Sequence, residues 1–330
     1  MIFRSGYIMV RAINLLAAIL ILCMLAMPVL GDDALKRELV EQTSKINLPV
    51  LARYQELDLM RKQILITLQT LSPDQVTEST RKWVNIASGP NGILQKFDGI
   101  NDLASKDDPH SHEEALTRAT GLKNDINALE GYPQAKENFI TFYPKTALSH
   151  FFTDQGEYFE RLADSENDTR LTIDYYEHAL SAYREAEDIT KTTYLDLKVK
   201  ELRSEYQFDM EIANESLAVG ETKFNQSLYG LNHSGNFISV ATGILSARTS
   251  KRELSTVYKI YQKHGDKRAS EIGEKLAEID CIHAELVDLF LKYAAVSVMV
   301  FIVMLVCVLG LLFRWTHAVE DTLLGNEVIR

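Results

Sequence analysis

The sequence predicts an all-α protein: an extracytoplasmic helical bundle or repeat-like helical domain carried on a C-terminal transmembrane helix. Three observations predict it. Apolar residues recur at intervals of three and four through most of the chain, as one face of a helix requires. Residues 158–219 contain neither glycine nor proline. Residues 293–313 carry no charge and no proline, and as a helix they reach about 31 Å, enough to cross a bilayer's hydrocarbon core.

At the N-terminus, Arg4 and Arg11 lead into an apolar run from Ala12 to Leu30, interrupted at Pro28 and followed by Gly31, Asp32 and Asp33. Basic, then apolar, then small is the order of a signal peptide, here residues 1–31 with cleavage after Gly31; the same run is long enough to stay as an N-terminal anchor. Either outcome puts residues 32–292 outside the cell membrane and the short tail, 314–330, in the cytoplasm. The protein is single-pass if the segment is removed and two-pass if it is retained.

In the external region, Val50, Tyr54, Leu57, Ile64, Leu68 and Leu71 read as one helical face. Ser72-Pro73-Asp74-Gln75 is a capping box with proline at the first helical position, opening a helix that carries Val76, Trp83 and Val84. Ser88-Gly89-Pro90-Asn91-Gly92 stops it, and the Gly, Asn, Asp, Pro and His of residues 89–112 predict a long loop with at most one helical turn. Helical spacing resumes at Ala115, Ala119, Leu122, Ile126 and Leu129. Gly131 and Pro133 then end one helix and open another, and Tyr143-Pro144 repeats that punctuation. After Val219 the glycines at 220, 230, 235 and 243 predict a connection over residues 220–249. Ser250-Lys251-Arg252-Glu253 reads as the cap of a last helical region, with an interruption at Gly265-Asp266. Beyond it Ile272, Leu276, Ile279, His283, Leu286 and Phe290 continue in register to Tyr293, so a continuous rod is expected to couple the domain to the span. Lys292 on one side of the span, and Arg314 with Trp315 on the other, are the anchors a membrane helix carries at its interfaces.

Residues 147–164 and 171–188 predict a helical hairpin turned at Ser165-Glu166-Asn167-Asp168-Thr169. Its second arm, from Ile173 to Tyr183 with Tyr176, Ala179 and Leu180, resembles the second helix of a tetratricopeptide repeat, in which an aromatic residue and an Ala-Leu pair pack on neighbouring helices. The resemblance covers residues 147–188 only. Gly156 and Tyr158 depart from the repeat's spacing, and no second copy is evident.

The formal net charge of −11 excludes nucleic acid as a natural partner, since such affinity comes largely from Lys and Arg on phosphate. Of the three cysteines, Cys23 and Cys307 lie in apolar segments, which leaves Cys281 alone and no internal disulfide in the domain. No nucleophile motif, phosphate-binding glycine loop or dinucleotide fingerprint occurs. The nearest approach to a metal site is Asp107, Asp108, His110 and His112, read mainly as a solvated acidic loop because alternate loop residues have no enforced geometry. Among the fourteen tyrosines, Tyr175, Tyr183 and Tyr194 are candidates for a partner surface, with core packing the competing reading. Asn167, Asn214, Asn225 and Asn232 each begin an N-x-S/T acceptor sequence and are glycosylation candidates.

The expected function is therefore a membrane-anchored domain that binds a protein partner or senses a ligand, with no catalytic activity and no cofactor. Its partners are the lipid bilayer and a protein. The alternatives are a two-span sensory subunit, similar in plan to the external bundles of chemoreceptors, and an envelope metal-dependent enzyme using the histidine loop.

Overall fold

The structure is a computed structural model that describes residues 33–132 and 139–327, with side-chain surroundings to residue 315. The expectations for residues 1–31 and for a helix opening at Pro133 lie outside that range. Every regular element among the described residues is helical. In order these are α1 (33–44), α2 (Val50–Arg53), α3 (Gln55–Thr70), a 3₁₀ turn (Pro73–Gln75), α4 (Glu78–Ser88), α5 (Ile93–Leu103), α6 (Pro109–Leu129), α7 (Phe139–Ser165), α8 (Thr169–Glu185), α9 (Ile189–Asn232), α10 (Phe237–Lys263) and α11 (Arg268–Glu327). Among the described residues they form two compact units: residues 33–166 with 172–200, and residues 167–171 with 201–327.

In the first unit α3 packs on α7, α5 on α6 and α6 on α7, around a core that includes Trp83, Phe97, Phe151, Phe152 and Phe159. Leu57, Met60, Ile64 and Leu68 form the buried face of α3. The single helix expected from Val50 is broken at Tyr54, which is extended at φ −112°, ψ 92°. The break brings the Tyr54 ring 5.1 Å from that of Phe97 and its hydroxyl to Asp154, and the Asp98 carboxylate accepts from the Val50 amide. The Ser72–Gln75 capping box forms but closes only the 3₁₀ turn; α4 starts from a second box, Thr77 with Thr80.

Three expected interruptions are helical instead. Within the loop predicted over 89–112, Ile93, Leu94, Phe97 and Ile100 fall on one buried face of α5, and only residues 89–92 and 104–108 lie outside helices. Pro144 sits inside α7, where it gives up one backbone bond without ending the helix. The connection predicted over 220–249 shrinks to residues 233–236, which keep Gly235, because Gly220, Gly230 and Gly243 serve helix contact rather than chain reversal. A Cβ on Gly230 would stand 2.7 Å from the Ser239 carbonyl oxygen and 2.8 Å from Gly243 Cα, and one on Gly220 would stand 2.8 Å from the Leu254 side chain. Ser250, expected as a cap, is mid-helix and donates to the Gly220 carbonyl at 2.7 Å.

The second unit is built on seven-residue spacing. Val240, Ala247, Leu254 and Tyr261 are buried along α10, and Ile272, Ile279 and Leu286 along α11. On α9 the matching positions are small: Ala213, Gly220 and Ser227. Such a repeat keeps an apolar seam facing its partner over several turns, and small residues let the third helix approach closely. Left-handed backbone at Gly265 (φ 64°) turns α10 into α11, with the Asp266 amide bonding back to the Tyr261 carbonyl. From Arg268 the helix runs unbroken through residues 293–313, and this is one helix long and apolar enough to cross a membrane.

Glycine used for contact and glycine in open helix respond oppositely to a side chain. In urea melts of detergent-solubilised full-length protein, Gly230→Val is expected to destabilise by more than about 2 kcal/mol through overpacking. Gly121→Ala, where nothing lies within 4 Å, should stabilise by about 0.5–1 kcal/mol. Equal effects would contradict the close crossing of α9 and α10.

Candidate functional site: a cleft beside the α8–α9 turn

A cleft of about 510 Å³ opens between α6, α7 and the turn from α8 into α9, within the ~300–1,000 Å³ usual for ligand sites. Ile126 and Leu148 supply an apolar floor. Phe142, two residues before Pro144 on α7, stands 58% exposed at its edge. Lys123 pairs with Glu185 and also donates to the Glu185 carbonyl at 3.3 Å. Lys145 pairs with Glu130 at 2.6 Å, and His150 with Glu56 at 3.1 Å.

The turn beside the cleft is shaped by an uncommon backbone. Glu187 adopts φ 63°, the left-handed region that glycine or asparagine normally fills at a helix C-terminus. The bonds from Glu187 N to the Arg184 carbonyl (3.1 Å) and from Asp188 N to the Tyr183 carbonyl (3.0 Å) close the end of α8. Asp188 then starts α9 by accepting from the Lys191 amide at 2.9 Å. The Ala186 carbonyl accepts from the Ser149 hydroxyl at 3.2 Å, which ties α7 to the end of α8. An apolar floor with a charged, hydrogen-bonding rim can hold a small amphipathic ligand or a short peptide segment.

The four candidate metal ligands are not gathered on one point. His112 is buried: Nδ1 lies 2.7 Å from Gln155 Oε1, Nε2 lies 2.9 Å from the Lys106 carbonyl, and the ring stacks on Tyr158 at 3.5 Å. Asp108 caps α6 by accepting from the Ser111 amide and hydroxyl at 2.9 and 2.8 Å, which holds its carboxyl below the usual range. His110 points to solvent near Glu113, while Asp107 and His112 both border a polar depression away from the cleft. Among the described residues no three His, Cys, Asp or Glu side chains are arranged to hold a metal ion.

Of the three candidate surface tyrosines, Tyr183 is a core residue, 1% exposed. Its ring covers Gly156, and its hydroxyl donates to Glu160 at 3.0 Å; burial, then that bond, pushes the phenol pKa up. Tyr175 is half-buried, and Tyr194 is 53% exposed on α9. The acceptor asparagines Asn214, Asn225 and Asn232 are exposed along α9 rather than in a loop, while Asn167 lies exposed in the turn before α8.

Periodicity gave no hint of the polar centre of the second unit. His264 is buried at the end of α10, with Nδ1 3.0 Å from Thr169 Oγ1 and Nε2 2.9 Å from Asp209 Oδ2. Lys263 also reaches Asp209, at 2.7 Å. This line of hydroxyl, imidazole and carboxylate has the membership of a nucleophilic triad. Its threonine, however, also donates its backbone N–H to the His264 carbonyl at 3.0 Å, and the imidazole is only 4% exposed. It acts as a strut that holds residues 167–171 on the α10–α11 turn. No family model matches the chain, and neither does any curated protein or solved structure.

Two outcomes follow from these environments. Glu187→Gly relieves a left-handed non-glycine residue, which costs about 1 kcal/mol, so the melting temperature should rise by roughly 2–4 °C; an unchanged or lower value would contradict the assigned backbone. Asp209 is held below its ordinary pKa by the hydrogen bond from Lys263 and then that from His264. A depressed carboxylate contributes stability above its unfolded pKa of about 3.9 and loses it as pH falls through the folded value. The stability gap between wild type and Asp209→Asn should therefore be full at pH 6 and vanish in strong acid. A gap that stays constant from neutral to strongly acidic pH would exclude this role.

Proposed function

We propose that this chain is a membrane-anchored, extracytoplasmic helical protein that binds a partner or senses a ligand and carries out no catalysis. The observation that carries the reading is α11, in which the helix that packs the second unit and the helix apolar enough to span a bilayer are the same unbroken element. A domain joined to a span by continuous helix passes force and orientation between them, whereas a loop would isolate the two. The order of Arg4, Arg11 and the apolar run to Leu30 supports an external placement. The cleft beside Phe142 supports binding, since its polar groups are paired to hold shape rather than arranged to transfer protons.

The test is made in intact cells, with a photo-crosslinking amino acid at Phe142 and again at Lys259, an exposed position on α10 outside the cleft. The protein is expected to stay in membranes after alkaline extraction, to be cut by external protease, and to give a discrete adduct from position 142 only. Release by alkali, or protection from external protease in intact cells, would contradict the proposed topology. Matching adducts from both positions would contradict the cleft as the binding site.

A further inference from the structure

The apex of the α9–α10 hairpin lies beside the start of the span. Phe237 stacks on Phe290 at 5.2 Å and meets Tyr293 edge-on at 6.2 Å, and the Tyr293 hydroxyl donates to the Ser234 carbonyl. Val240 packs with Ile282 and Leu286 in the same apolar cluster. These contacts fix the height of the hairpin along α11: its turn, residues 233–236, stands level with the residue at which the uncharged segment begins.

The composition of the hairpin changes at that level too. Residues 224–247 contain no Asp, Glu, Lys or Arg. In a chain that is 25% charged, a stretch of this length would ordinarily carry about six. What faces outward instead is apolar or small and polar: Ile238 is 68% exposed and Phe237 46%, beside Gly235 and Asn236. Side chains of this kind occupy the interfacial layer of a bilayer, where aromatic rings and hydrogen-bonding groups are both accommodated. Charge returns above the apex, on α10 with Arg248 and Lys251 and on α9 with Glu221 and Lys223.

We propose that the α9–α10 apex is a second membrane contact, with Phe237 and Ile238 seated in the lipid interface next to the point where α11 enters the bilayer. The occupant of this surface is lipid, because the apex is continuous with the span and locked to it through Tyr293. Seating it would restrain tilting of the second unit about α11. It would also place Asn232 against headgroups, so the exposed asparagines higher on α9, Asn214 and Asn225, become the available glycan acceptors. This proposal rests on the reading of α11 as a membrane span.

The experiment uses full-length protein with Cys23, Cys281 and Cys307 replaced by serine, relabelled with an environment-sensitive fluorophore at Ile238→Cys, Val303→Cys or Lys259→Cys. Each is reconstituted in phosphatidylcholine vesicles carrying nitroxide lipids with the quencher near the headgroup or deep in the acyl chain, and equal thermal melts confirm folding. The label at 303 should be quenched by the deep nitroxide. The label at 238 should be quenched by the shallow one at least twofold more than the label at 259. Quenching at 303 with a label at 238 as wet as that at 259 would overturn the seating and leave the span intact. A label at 238 shielded from aqueous iodide yet untouched by either nitroxide would show a protein cover and would also overturn it. Loss of lipid quenching at 303 would remove the span reading and this proposal together.

Discussion

Two antiparallel helices, α10 and α11, meet along a seam that repeats every seven residues, and the repeat reaches the uncharged segment without changing phase. From Ile272 through Ile279 and Leu286 the next position is Tyr293, where the uncharged segment starts. On the proposed reading of residues 293–313 as a membrane span, two solvents act on one helix. In water the driving force is removal of one apolar stripe onto α9 and α10. In lipid every backbone group must be satisfied within the helix, and its whole circumference can be apolar. Residues 268–292 obey the first rule, with charges such as Glu274, Asp288 and Lys292 off the seam, and residues 293–313 obey the second.

That constraint explains the small residues on α9. Large side chains at Ala213, Gly220 and Ser227 would hold the third helix away from the seam. Buried polar groups are bonded at both ends of the bundle, in the His264 strut and the Tyr293–Ser234 bond, and at mid-length, where Ser250 donates to the Gly220 carbonyl. The first unit solves a different problem. Its short helices bury aromatic side chains against one another, and the cleft forms where the end of α8 is held by unusual backbone at Glu187.

Helix class, the apolar C-terminal helix, the turn at residues 166–168 and the break near Gly265 were all legible in the sequence, because spacing and capping are local signals. The failures share one physical cause. Glycine lowers helix propensity, but it also allows close approach, and only the partner helix decides which property matters; at Gly220, Gly230 and Gly243 contact prevailed. In α5 the buried face of Ile93, Leu94, Phe97 and Ile100 was present in the sequence but masked by Gly99 and Asp102 on the exposed side of the helix and by the half-buried Asn101. Tyr175 and Tyr183 are eight residues apart on one helix yet differ in burial, since depth depends on α7 packing across Gly156. His264 and Asp209 are separated by 55 residues and join only through the fold.

The central claim is the unbroken identity of the packed helix and the membrane helix. It is tested most directly by placing nitroxide side chains singly at positions 283 to 305 of reconstituted full-length protein and measuring their accessibility to oxygen and to a water-soluble nickel chelate. The account predicts a 3.6-residue oscillation that keeps its phase across position 293, with nickel access falling and oxygen access rising beyond it. An oscillation that stops or shifts phase between 288 and 296, or nickel access that persists past 300, would contradict it.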